Sequence, residues 1–187
     1  ENRSRNALRE VRRQLKIVHP TLITVVNNFY MINPKIEVQT DADQFEKILR
    51  RAKQFTPKDV RAETLYLRAI SLYEKNDCTG LLPYLYVDWL QQKRSHYESL
   101  YIDALKGVAK CAEHRRDYTF AIQCYEKCLK IDEFDEEIYQ AMMECLAQNK
   151  QQPQVQLLYN RLEKLLHNEL DLLPHPDTTA LLNRLII

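Results

Sequence analysis

The chain opens with apolar residues at helical spacing, passes through a run of β-branched and aromatic residues, and then returns to helical spacing for the rest of its length. Leu8, Val11, Leu15 and Val18 form one stripe. Arg5, Arg9, Arg12 and Lys16 keep the same spacing on another face. The pattern predicts a first helix that packs one side on a core and presents a cationic ridge on the other. His19-Pro20 stops it, because a residue before proline is pushed out of the helical region. Residues 21–34, TLITVVNNFYMINP, suit strands, and Asn27-Asn28 sits at their centre. Asn tolerates the positive φ of a tight turn, so this stretch reads as a hairpin, 22–26 with 29–32, closed by Pro34.

Beyond residue 40 every segment reads as helix. Asp41 or Asp43 caps a helix through Phe45, Ile48 and Leu49. Pro57, after Thr56, suits the first turn of a helix over 57–75. Residues 76–87, with Gly80 and Pro83, form the main loop, which Trp89 anchors to the core. A long helix follows over 88–115. Then the pattern repeats. Leu105, Val108, Ala109, Ala112, Ala121, Tyr125 and Cys128 occupy the apolar and small-residue sites of a tetratricopeptide-like helix pair. A step of 34 residues, that repeat's length, lands on Tyr139, Met142, Met143, Leu146, Val155, Tyr159 and Leu162, all apolar or aromatic. Met143 and Val155 replace small residues, and Glu133 stands where the repeat has proline, so the second pair has the character of a cap. Pro174 and Pro176 break the chain before a last helix through Leu181, Leu182 and Leu185.

Charge sharpens the picture. The chain is 187 residues long with a net charge of +1. Residues 1–16 hold six basic residues (Arg3, Arg5, Arg9, Arg12, Arg13, Lys16) against two acids (Glu1, Glu10), so the remainder is slightly acidic. Positive charge gathered on one short helix points to a nucleic-acid-facing element. The apolar share of 45% and charged share of 28% are those of a globular protein, long enough to bury a core. No apolar run approaches the ~20 residues needed to cross a bilayer. The chain opens with charge and without Met or a leader-like stretch, and so reads as part of a longer protein. Two glycines, Gly80 and Gly107, are too few for a phosphate loop or dinucleotide fingerprint. Five cysteines (Cys78, Cys111, Cys124, Cys128, Cys145) on helix-like segments fit reduced thiols of a cytoplasmic protein.

These residues resemble a known family. DWLQQKRSHYESLYIDAL (88–105), DYTFAIQCYEKCLKIDEFDEEIYQAMM (117–143) and LLYNRLEKLLHNELDLLPHPDTTALLNRL (157–185) are similar to the bacterial transcriptional activator domain of SARP-type regulators. Tyr159, Glu169-Leu170, Pro174, Pro176 and Thr178 match the family's ending, while Asp171 replaces its glycine. SRNALREVRRQLK resembles the recognition helix of an OmpR/PhoB-type winged helix, and TLITVVNNFYMINP its wing, with Asn27-Asn28 in place of the usual glycines. The resemblance implies a mainly α fold: residues 1–35 as the end of a winged helix, and 36–187 as a tetratricopeptide-like α-α superhelical domain. It also implies double-stranded DNA as a partner. The helical domain would contact RNA polymerase or the protein's own sensory module, or associate as a homodimer. Neither a membrane nor a cofactor is implied.

For the first helix, Arg3, Arg5, Asn6 and Arg9 lie nearest the end that would enter the major groove, where Arg and Asn read base edges. Arg12, Arg13 and Lys16 are the phosphate clamps, and Asn27 and Asn28 approach the minor groove or backbone. A solvated, salt-bridged helix face and plain turn chemistry are the alternatives. Cys111, His114, Cys124 and Cys128 invite zinc, but their spacing lacks a tight knuckle and Cys128 takes a core position. Asp132, Glu133, Asp135, Glu136 and Glu137 fit a capped turn better than paired catalytic carboxylates. The tail tyrosines suit either a peptide-binding groove or packing between helices. No catalytic constellation is present, so the reading is a regulator, not an enzyme. The competing readings are a tetratricopeptide-type interaction module whose basic helix binds an acidic protein, and a helical metalloenzyme fragment.

Overall fold

The computed structural model describes residues 2–27, 29–75 and 88–186, with the side chains of 2–8, 18 and 89 outside that set. The expected loop over 76–87, with Gly80 and Pro83, and Trp89's contact with it therefore lie outside the described residues, as do Asn28 and Cys78. Two compact units divide at Thr40 and Asp41.

In the first unit, α1 (Asn2–Val18) ends two residues before Pro20. Strands β1 (Ile23–Val26) and β2 (Phe29–Ile32) pair antiparallel, Ile23 opposite Ile32 and Val26 opposite Phe29. Asn27 takes φ 51° at the turn, the left-handed conformation that Asn adopts at little cost. Leu22, expected in β1, falls just outside it, although its carbonyl accepts from Asn33 N at 2.8 Å. Asn33 closes the base, donating from Nδ2 to the Thr21 carbonyl at 3.0 Å. The expected burial of the helix stripe is corrected at Val11 and Leu15, while the side chains of Leu8 and Val18 lie outside the described residues. Val11 is 53% exposed, Leu15 is half-buried, and no described residue of this unit is buried. A helix and one hairpin have too little mutual area to close over an apolar stripe.

The second unit is a stack of helices: α2 (Asp41–Ala52), α3 (Val60–Tyr73), α4 (Asp88–His114), α5 (Tyr118–Leu129), α6 (Glu136–Gln148), α7 (Gln152–Leu170) and α8 (Pro176–Leu185). Each of α2 to α8 packs on the next, and α8 also packs back on α6. Asp59, Asp117 and Asp135 cap α3, α5 and α6 through their carboxylates, each accepting from a backbone N–H of the first turn. Asp59 corrects the expected start of α3. The cap holds Arg61 N at 2.9 Å, so the helix begins at Val60 and Pro57 sits in the turn before it.

The 34-residue repeat is present in three dimensions. All fourteen matched apolar positions on α4, α5, α6 and α7 are buried. The turns repeat as well. Arg116 and Lys150, one repeat apart, both take positive φ (64° and 59°). After each, the next amide reaches back to the preceding helix: Asp117 N to Ala112 O at 2.8 Å, and Gln151 N to Leu146 O at 2.9 Å. Gly107 sits where Tyr66 of α3 crosses α4, and a Cβ there would lie 2.5 Å from the tyrosine Cζ.

The ending is a latch. Asp171 supplies the left-handed turn after α7 with φ 54°, so the residue standing for glycine still adopts glycine's conformation. Thr178 on α8 is fully buried. Its hydroxyl donates to Glu136 Oε2 at 2.7 Å and accepts from Gln140 Nε2 at 2.8 Å, both on α6. His175 N adds a bond to the same carboxylate at 2.9 Å. Thr178→Val keeps the volume but leaves Glu136 and Gln140 each short of a partner. It should destabilise the fold by about 1–3 kcal/mol in urea titration, whereas Thr179→Val, at the edge of the latch, should cost less.

Candidate nucleic-acid interface

Helix α1 runs for seventeen residues with basic side chains at 9, 12, 13 and 16, a spacing that places them on one side. Arg9 and Lys16 are exposed and make no ion pair among the described residues. Arg13 differs. Its Nε donates to Glu10 Oε2 at 2.9 Å and its Nη2 to Oε1 at 2.7 Å, and Gln14 Nε2 donates to the same carboxylate at 2.8 Å. The Arg13 hydrogen bonds, then that of Gln14, hold the Glu10 carboxyl down at about 2. Arg12 is half-buried rather than part of an outward ridge. Its guanidinium carbon lies 5.8 Å from the Tyr30 ring centroid, tying the helix to the hairpin, and its Nε is shut from solvent without a partner.

Arg3, Arg5 and Asn6 stand on the described backbone of α1, but their side chains lie outside the described set, as does Asn28. Asn27 is exposed at the turn. Residues 20–34 hold no Asp, Glu, Lys or Arg. The apolar side chains of β2 are exposed, Phe29 most of all at 75%. Any contact the hairpin makes with phosphate must therefore come from uncharged donors: amides, the hydroxyls of Thr21, Thr24 and Tyr30, and backbone N–H groups.

The second unit's candidate chemistry resolves into structure. Cys111, Cys124, Cys128 and Cys145 are buried and unpaired, and His114 is exposed. No group of three metal-ligating side chains converges among the described residues. In the acid cluster Asp135 caps α6 and takes Lys106 Nζ at 2.8 Å, Asp132 accepts from Phe134 N, and Glu136 belongs to the latch. Several of the described tyrosines are packing elements, some with anchored tips, while the Tyr139 hydroxyl is buried with no partner among the described residues. Tyr73 and Tyr101 stack at 4.2 Å, and Tyr97, Tyr101 and Tyr125 donate to Glu46, Glu74 and Glu113. Sequence reasoning missed these carboxylate partners, since each pair joins helices separated by at least a turn and no local spacing marks it. No helix among the described residues is long and apolar enough to cross a membrane.

A stack of antiparallel helices with a 34-residue period and a proline-bounded terminal helix defines a tetratricopeptide-like class. The family model described as the bacterial transcriptional activator domain matches residues 40–186. The chain belongs to that family, whose members serve transcription regulation. No curated protein matches it.

Burial pushes the Cys124 thiol up to about 11 and the Cys128 thiol up to about 12, from an ordinary 9.0. Unfolded thiols ionise near their ordinary value while the folded ones stay protonated. The stability carried by these groups is thus present below pH 9.0 and is lost as pH rises through about 11 and about 12. Peptide-resolved alkylation with iodoacetamide at about pH 8 should leave both unlabelled until urea unfolds the chain. Rapid labelling in the native state would contradict this burial.

Proposed function

We propose that the chain is part of a DNA-binding transcriptional regulator of bacteria, in which α1 and the hairpin are the recognition helix and wing of a winged helix. The observation that carries this reading is the cationic side of α1, with Arg9 and Lys16 exposed and without an ion pair among the described residues, in a chain whose remainder is slightly acidic and belongs to an activator-domain family. Arg3, Arg5, Asn6 and Arg9 face the base edges, and Lys16 and Arg13 grip phosphate. The Glu10 pair with Arg13 is exposed, so a phosphate oxygen displaces it at little cost. Arg12 has a mixed role, holding the hairpin through Tyr30 while its charge adds to the field at the groove. Asn27 and Asn28 offer amides to the backbone, a contact that an uncharged wing can make. The helical domain makes protein contacts, with its own sensory module, with polymerase or with a second copy. The reading is non-enzymatic, requires no cofactor, and places the protein in the cytoplasm.

The test is selection of duplexes from a random pool by the intact polypeptide that contains this chain. Arg5→Ala with Arg9→Ala should abolish sequence enrichment. Lys16→Ala should weaken all duplexes alike and lower the salt slope by about 1. Absence of enrichment at low salt by folded protein would overturn the reading. Preference for an acidic polypeptide over duplex DNA would favour a protein-interaction module instead.

A further inference from the structure

The repeat places two corresponding clefts in the second unit, and they differ in how their charges are engaged. The first lies between α3 and α5 over α4, and the second between α5 and α7 over α6. On α3 the first is lined at Leu67, Ile70, Ser71 and Glu74; on α5 the second is lined at Thr119, Ile122, Gln123 and Glu126, the same spacing. The opposite walls correspond at the 34-residue step, with Cys124 and Lys127 matched by Leu158 and Arg161. In the first cleft the charges meet. Lys127 Nζ lies 2.8 Å from Glu74, which also accepts the Tyr101 hydroxyl. In the second cleft the corresponding Glu126 and Arg161 are both exposed and make no ion pair or side-chain hydrogen bond among the described residues.

The walls differ too. Phe120 of the first cleft becomes Gln154 in the second, and Gln123 becomes Leu157, which is 66% exposed. The second cleft is thus an open groove of about 530 Å³ with an apolar floor at Met142 and Leu146, a bare leucine on its wall, and an unpaired acid and base. Gln123 and Gln154 face it with no side-chain hydrogen bond among the described residues. An amide carries both donor and acceptor, which matches the backbone N–H and C=O groups of an extended segment. A helix satisfies those groups internally and gains nothing from the amides. Arg161 matches a carboxylate, which it can bind through two parallel N–H groups. Glu126 on the opposite wall favours a base elsewhere on the segment.

We infer that the α5–α7 groove is a docking site for an extended segment of a protein partner, with an apolar side chain covering Leu157 and an acidic side chain pairing with Arg161. The inference rests on the reading of the helical domain as the protein-contacting part of the regulator, and it names the surface and the chemistry of the occupant.

The test is selection of random peptides of roughly ten residues on the full chain, with affinities of the enriched peptides then measured by fluorescence anisotropy. Enriched peptides should carry an acid beside an apolar residue. Arg161→Glu and Leu157→Asp should each weaken them at least about tenfold, and changing the peptide's acid to lysine should restore binding to R161E. That rescue shows the variant is folded. Lys127→Glu, in the first cleft, should leave affinity unchanged. The proposal falls if the enriched peptides bind R161E and wild type equally, or carry helix-spaced anchors. It falls equally if none is enriched, or if the groove is filled by a second copy, seen as self-association that L157D abolishes. Duplex selection on the same variants separates the two readings. Lost peptide binding with intact DNA enrichment removes the groove alone, whereas peptide binding without DNA enrichment removes the DNA reading and leaves the groove standing.

Discussion

The helical unit depends on how closely α4 and α5 can approach. Ala109, Ala112 and Ala121 are fully buried at their contact, and each offers one methyl group. Larger side chains there would hold the helices apart and leave voids that a close-packed interior cannot tolerate. With the backbones near, Val108, Tyr125 and Cys128 fill the remaining space, and the Tyr125 hydroxyl reaches Glu113 at 2.6 Å. Tyr66 then crosses α4 at Gly107. In the second pair Met143 and Val155 take the small positions, both fully buried. Methionine is unbranched and adapts its shape, so the pair packs without the alanines. The repeat is therefore conserved in geometry more than in side-chain size.

Much of this was legible in the sequence. Apolar spacing located the helices and the 34-residue step because every matched position is a core position, and core periodicity is what a sequence displays most plainly. Asn27-Asn28 marked the turn because few residues other than Gly and Asn accept its φ. The start of α3 was misplaced since two signals compete within three residues, and Asp59's carboxylate, which bonds the helix, outranks Pro57, which merely permits one. The left-handed turns at Arg116 and Lys150 carry no local mark, because neither Arg nor Lys favours that conformation and tertiary packing imposes it. At the candidate interface the charges were legible. Their engagement was not, since Glu10 could have paired with either neighbour and the approach of Arg12 to Tyr30 joins residues far apart in sequence.

Electrostatics here works by position rather than by amount. The exposed pairs, such as Lys53 with Asp103 at 2.6 Å, add little stability singly. Those between successive layers have another effect. Lys106 reaches from α4 to the cap residue of α6, and Lys127 from α5 to the end of α3, so each cation ties helices the core already brings together. Arg115 does the same for Glu63 and Asp117, joining α3, the end of α4 and the cap of α5. Such contacts penalise a slip of one helix past another, because a shifted register would leave a carboxylate without its cation. They specify alignment, while buried leucines and tyrosines supply most of the free energy.

The latch at Thr178 bears on how long such a stack can be. Solenoid repeats stack head to tail, so each end presents a face that could receive a further copy unless it is capped. Here α8 lies against both α6 and α7, and a bonded threonine fixes it there. The surface that would receive another repeat is occupied by the chain's own last helix. Along the described residues the stack is thereby capped, and the cap is written into a few residues of α8 rather than into the repeats before it. Loosening α8 would uncover the faces of α6 and α7 that it covers, so the same few residues decide whether the stack turns an apolar edge to solvent.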